Sequence, residues 1–134
     1  MKMRTFIQKK LWRDNAIERM EQMGSRINWR YLDDAEYDNE LRSKLIEETA
    51  EVKTAKSRDE LITELADVYE ALDALQQLHG LTRDEVRAVQ TKKRGERGGF
   101  EGRRFVETAD HPVGGFGEKY CLADPEKYPE ITNP

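Results

Sequence analysis

Leu45-Ile46-Glu47-Glu48-Thr49-Ala50-Glu51-Val52, then Ser57-Arg58-Asp59-Glu60-Leu61-Ile62-Thr63-Glu64-Leu65-Ala66-Asp67-Val68, is the stretch that decides the fold. Ser57 and Glu60 have the S-x-x-E spacing of a capping box, in which each side chain takes a backbone N–H of the first helical turn. A helix therefore starts just after Ser57. It carries Leu61, Leu65, Val68, Leu72 and Leu75 as an apolar stripe and stops at His79-Gly80. Upstream, from about Asp34, Tyr37, Leu41, Leu45 and Val52 mark one face of another helix, and neither Gly nor Pro interrupts the chain from Asp34 to Leu78. The short connection between the two helices makes them antiparallel neighbours.

Outward from this hairpin, Thr82 and Glu85 repeat the capping-box spacing, with Leu81 and Val86 placed as a hydrophobic staple, so a further helix covers roughly 83–94. On the N-terminal side, a short helix is expected after Asp14 as N-cap, with Ile17, Met20 and Met23 on one side and a stop at Gly24. From Gly95 onward Gly and Pro dominate, which reads as an irregular tail with one short strand near Phe105-Val106. The fold class is all-α: an antiparallel helix bundle over 1–105 and an irregular Gly/Pro-rich C-terminal tail over 106–134.

The 134 residues suit one domain, and 23 Lys and Arg against 27 Asp and Glu give a net charge of −4. That balance argues against a stable nucleic-acid or membrane partner. The apolar share, with Gly counted and Tyr left out, is roughly 40%, below the ~45–50% of ordinary domains. The chain is short of core, and a second copy is expected to complete it, as a homodimer or homotetramer. A single cysteine, Cys121, excludes an intramolecular disulfide and fits a reducing compartment. No stretch looks like a secretory signal or a membrane span, so a cytoplasmic protein is expected.

The hairpin also carries the chemistry. At roughly 100° per residue, Glu48 falls within the arc of Leu41, Leu45 and Val52, where a surface glutamate does not belong. Glu51 and Glu47 lie to one side of it, and Glu64 and Asp67 border the stripe of the partner helix near the small Ala71. The pairs 51/64 and 48/67 share one midpoint, between Ser57 and Arg58, where the capping box independently puts the turn. Two rungs of facing carboxylates follow, about one helical turn (~5 Å) apart. Carboxylates crowded into a partly dry groove repel unless a cation or protons are taken up. An all-oxygen anionic set without Cys or His suits Mg²⁺ or Mn²⁺ rather than Zn²⁺, and Mg²⁺ so held keeps open positions for substrate phosphates. The plainer reading is a solvated acidic face, with Lys44 and Glu48 as an ordinary i,i+4 ion pair.

Glu47-Glu48-Thr49-Ala50-Glu51 followed by Glu64-Leu65-Ala66-Asp67 resembles the E-E-x-x-E…E-x-x-D signature of the all-α nucleoside triphosphate pyrophosphohydrolases, the MazG-like superfamily. Lys10-Leu11-Trp12-Arg13-Asp14 resembles the Lys-Leu-Val-Arg-Asp opening of small members. Lys92-Lys93 through Glu96-Arg97-Gly98-Gly99-Phe100 resembles their Lys-rich segment ending Arg-Gly-Gly-Phe. The likeness covers about residues 9–105. It implies Mg²⁺ ligands at Glu48, Glu51, Glu64 and Asp67, with Glu47 a ligand or the group that orients water. It also implies hydrolysis between the α- and β-phosphates of a nucleoside triphosphate, giving a monophosphate and pyrophosphate in nucleotide-pool house-cleaning, by dimers or tetramers. Two departures stand out. Asn15-Ala16-Ile17 replaces the usual Lys-Ile-Pro, and Val68-Tyr69-Glu70-Ala71 lacks the Tyr-His pair of the phosphoribosyl-ATP pyrophosphatases of histidine biosynthesis, which places that substrate second.

In such chemistry a carboxylate, Glu47 or Glu48, accepts a proton from the ion-bound water. Between Lys92 and Arg104 six basic residues face two acidic ones. Lys92, Lys93 and Arg97 are the candidate phosphate clamp, and a basic helix end is the plainer reading. Trp12 and Trp29 are candidates to stack on the base, although such aromatics more often belong to a core or a subunit interface. His79, His111 and Cys121 have no partners at motif spacing and are read as non-catalytic. A helical interaction module that docks a basic partner on its acidic face is the rival from another class. Glu48 speaks against it, because a docking surface gains nothing from an inward carboxylate.

Overall fold

Helices account for all the regular structure of the described residues, 2–132, in the computed structural model: α1 (Asp14–Gln22), α2 (Asp34–Thr54), α3 (Arg58–Leu78), α4 (Arg83–Arg97) and α5 (Phe116–Leu122). The chain is all-α, and among those residues no strand forms, at Phe105-Val106 or elsewhere. None of the helices described is long and apolar enough to cross a membrane. Two compact units divide the chain, one up to Glu96 and one from Arg97 on.

In the first unit α2 and α3, each of 21 residues, lie antiparallel and make the one broad helix–helix contact among the described residues. Local chemistry fixes their ends. Asp33 caps α2, its Oδ1 accepting the Glu36 N–H at 2.8 Å while the Glu36 carboxylate takes the Asp33 N–H, a full capping box. Ser57 Oγ accepts the Glu60 N–H at 3.1 Å, and the Glu60 carboxylate takes the N–H of Lys56 at 2.9 Å. Thr82 and Glu85 exchange the same pair of bonds at the start of α4. Gly80 follows α3 with φ 66°, and the N–H groups of Gly80 and Leu81 return to Gln77 and Gln76, so the terminal carbonyls are satisfied. At the open end of the hairpin His79 Nε2 meets Asp38 Oδ1 at 2.5 Å, joining the last turn of α3 to the second turn of α2. Arg83 grips Asp73 through two nitrogens and tethers the start of α4 to α3.

Three local expectations change. Asp14 is the first residue of α1 rather than its cap; Arg13 holds the cap position without a side-chain bond, because a guanidinium has only donors and cannot accept the N–H groups of the first turn. Helix α4 runs through Gly95 to Arg97, and Gly98, at φ 79°, follows it. The tail contains the short helix α5. There Phe116, Tyr120 and Tyr128 form a run of ring contacts at 6.0 and 5.6 Å, and His111 packs so closely on Gly117 that no Cβ fits.

Burial is sparse. Leu41 and Ala71 are the buried apolar residues among those described, joined by one charged residue, Glu48. The α3 stripe is half covered from Val68 to Leu75, whereas Leu61, Ile62, Leu65 and Tyr69 face water. A single hairpin offers one line of contact, so the opposite flank of α3 finds no neighbour within the unit.

Asp33→Ala should lower stability by about 1 kcal/mol through loss of the cap, and Asp34→Ala by only a few tenths; urea unfolding of the pair checks this. The His79 bond, aided by Arg42, holds the Asp38 carboxyl below its usual value. A carboxyl so depressed stabilises the fold above its unfolded value of ~3.9 and loses that contribution as pH falls through the folded one. Asp38→Asn is therefore less stable than the parent at neutral pH, and melts below about pH 4 should show the gap closing.

Candidate metal centre

Glu48 and Glu51 stand one turn apart on α2, and Glu64 and Asp67 are spaced likewise on α3. The Ser57 cap sets the hairpin register so that the two pairs face each other. One carboxylate oxygen from each lies within 4.8 Å of the others. The rungs drawn from the sequence spacing are thus present as geometry. Glu48 sits deepest, 6% exposed, beside Leu41 and Ala71 as the third buried residue of the hairpin. Its Oε2 and the Oε2 of Glu64 are buried without a hydrogen-bond partner. A buried acceptor left unpaired costs about 1–3 kcal/mol, more when charged.

Three cations border the cluster. Lys44 Nζ lies 3.4 Å from both Glu48 Oε1 and Glu47 Oε2, so the i,i+4 pair forms, yet it leaves Glu48 Oε2 unpartnered. Lys10 Nζ donates to Glu47 Oε1 at 3.1 Å. Arg13 Nη2 donates to Asp67 Oδ1 at 2.7 Å, and its Nη1 lies 4.0 Å from Glu70. Glu47 thus stands beside the four clustered carboxylates, held by lysines. The proton affinities divide accordingly. Burial, reinforced by the hydrogen bond and charge of Glu51, pushes Glu48 up. The shared hydrogen bond with Glu64, then burial, pushes Glu51 up. For Glu47 burial acts upward, but the Lys10 hydrogen bond and the charges of Lys44 and Lys10 outweigh it and leave the carboxyl below its usual value.

Beside the carboxylates opens a cavity of about 420 Å³. Gln8, Lys10, Leu11, Trp12 and Arg13 of the N-terminal segment line it, with Ala16 and Met20 of α1 and Lys44, Glu48 and Asp67 of the hairpin. Of the two tryptophans singled out from the sequence, Trp12 lines this cavity; Trp29 packs edge-on to Tyr31 with ring centres 5.0 Å apart and does not. Lys92 and Lys93 stand exposed on α4 and are absent from the cavity wall. Arg97 belongs to the second unit, where it lines a separate cavity of about 560 Å³ with the Gly98–Phe105 loop. His79 serves the hairpin end, and His111 and Cys121 lie in the second unit.

Sequence reasoning missed Lys10 and Arg13 as groups of the centre. Their K-x-x-R spacing lies in a segment without helical or strand periodicity, so nothing local says which face it crosses. The chain matches no family model, no curated protein and no solved structure.

A carboxylate raised on folding favours the native state when protonated, so its contribution falls as pH climbs from the ordinary glutamate value of ~4.3 through the raised one. Glu48→Gln, measured without divalent ions, should therefore melt higher than the parent at pH 7, with the difference vanishing below about pH 4. Added Mg²⁺ should raise the melting temperature of the parent and leave the variant unmoved.

Proposed function

We propose that the protein is a Mg²⁺-dependent nucleoside triphosphate pyrophosphohydrolase, Mn²⁺ being able to replace Mg²⁺. The observation that carries this reading is the convergence of four carboxylates, one oxygen of each within 4.8 Å of the others, in a cluster whose Glu48 has a buried, unpartnered Oε2. The carboxylates outnumber the cations Lys10, Arg13 and Lys44 that border them, an excess of negative charge that a divalent ion would offset. The ligand set is all oxygen, as a hard ion requires. Glu48, Glu51, Glu64 and Asp67 would hold the ion, which supplies charge neutralisation at the phosphates and acidifies a bound water.

The remaining roles fall to the residues around it. Glu47, kept ionised by Lys10 and Lys44, is poised to accept the proton of the attacking water, with Glu48 as the other candidate. The adjoining cavity is lined by charged side chains, Glu48 and Asp67 among them, and by the apolar Leu11, Trp12, Ala16 and Met20. That lining matches a nucleotide, with phosphates at the ion and the base against Trp12. Lys92, Lys93 and Arg97 enter the reading through the likeness of the Lys-rich segment to the MazG-like superfamily. Membership of that superfamily is part of the proposal and rests on the three motifs. A homodimer or homotetramer would cover Leu61, Ile62, Leu65 and Tyr69 on the open flank of α3.

Purified protein offered a panel of nucleoside triphosphates should release pyrophosphate, and only with Mg²⁺ or Mn²⁺; orthophosphate as the first product, or turnover in chelator, overturns the reading. Asp67→Asn should lose at least about 100-fold in Mg²⁺ affinity, since even outer-shell partners of a metal site cost 10–100-fold; calorimetric titration checks it.

A further inference from the structure

The N-terminal segment supplies two cations to the cavity wall, Lys10 and Arg13. Lys9 takes a left-handed backbone, φ 48°, unusual for a residue with a side chain. Immediately after it, Lys10 reaches Glu47 and Arg13 reaches Asp67, across 37 and 54 residues of sequence. Both cations line the cavity, and both are open to water, with side chains 44% and 58% exposed. Ion pairs so exposed contribute little to folding, which leaves their presence in the cavity wall unexplained by stability. A guanidinium presents five N–H donors in a fixed fork; the Asp67 bond engages one nitrogen and the exposed Glu70 stands 4.0 Å from a second, so donors remain for oxygens arriving in the cavity.

We propose that Lys10 and Arg13 bind the phosphates of the substrate, sharing Glu47 and Asp67 with the divalent centre and so bringing phosphate oxygens and ion together. The inference rests on the pyrophosphohydrolase reading and adds to it the residues that meet the phosphates. Arg13 sits between a clustered carboxylate and the cavity, so phosphate arriving there draws its positive charge away from Asp67 and strengthens the hold of Asp67 on the ion. Polyphosphate and Mg²⁺ therefore bind cooperatively, each tightening the other.

The test uses inorganic tripolyphosphate as probe, which carries the phosphate chain without base or sugar and separates binding from hydrolysis. Calorimetry in the presence of Mg²⁺ should show its affinity falling at least about 10-fold in Arg13→Gln and in Lys10→Gln, as expected for loss of a charge-assisted contact. Arg13→Lys should recover part of the loss, and Arg19→Gln, an exposed charge on α1 away from the cavity, should change little. Mg²⁺ alone should bind Arg13→Gln at least as tightly as the parent, because a competing cation has gone. Tripolyphosphate affinity unchanged in both Gln variants overturns the proposal, as does Mg²⁺ affinity falling in Arg13→Gln as far as in Asp67→Asn, which would make Arg13 a support for Asp67 alone. The underlying reading is tested separately by Asp67→Asn with Mg²⁺: undiminished affinity there overturns the metal centre itself. Loss of Mg²⁺ affinity there, with tripolyphosphate binding intact in the Gln variants, overturns only the phosphate role.

Discussion

Mutual repulsion among carboxylates in a narrow, half-dry groove is the constraint around which the first unit is arranged. Glu48 occupies a place in the hairpin that its apolar neighbours would otherwise fill, and one of its oxygens has nothing to accept from. Such a group weakens the fold, because burial of a charge without full pairing outweighs what one lysine at 3.4 Å returns. The surroundings answer in two ways. Proton affinities of Glu48 and Glu51 rise, and three basic side chains lean on the rim. Neither measure satisfies the innermost oxygens, Oε2 of Glu48 and Oε2 of Glu64.

The hairpin frame makes that arrangement possible at small cost in chain. A hydroxyl at Ser57 fixes where α3 begins, and the beginning of α3 fixes which residues stand opposite one another. A slip of one residue would rotate Asp67 by about 100° and break the quartet. The bond between Asp38 and His79 guards the same register from the opposite end. Ala71, small and buried, lies one turn beyond Asp67 on α3.

Much of this could be read from the sequence because it is local. The turn at Ser57, the stop at Gly80, the cap at Thr82 and the inward placement of Glu48 all follow from spacing within one or two helical turns. The site quartet followed as well, since a tight hairpin converts sequence distance into height. The Asp33-x-x-Glu36 capping box at the start of α2 is local in the same way. What could not be read was non-local or aperiodic. Lys10 and Arg13 lie in a segment without regular structure, and their partners Glu47 and Asp67 are 37 and 54 residues away. The expected strand at Phe105-Val106 failed because two β-formers among glycines have no partner strand to pair with.

Helix α4 illustrates a different consequence of sparse packing. From Leu81 to Arg97 every residue is exposed, and the Arg83 grip on Asp73 ties the start of the helix to α3. A helix of 15 residues without a buried face is marginal in water by itself, so its capping box and its ion pair set its population of ordered turns. Its coil-to-helix equilibrium is then its own, gradual in temperature and separate from the cooperative melting of the hairpin. The chain thereby carries two thermal behaviours within one compact unit, a sharply melting pair of rods and a softly fraying arm.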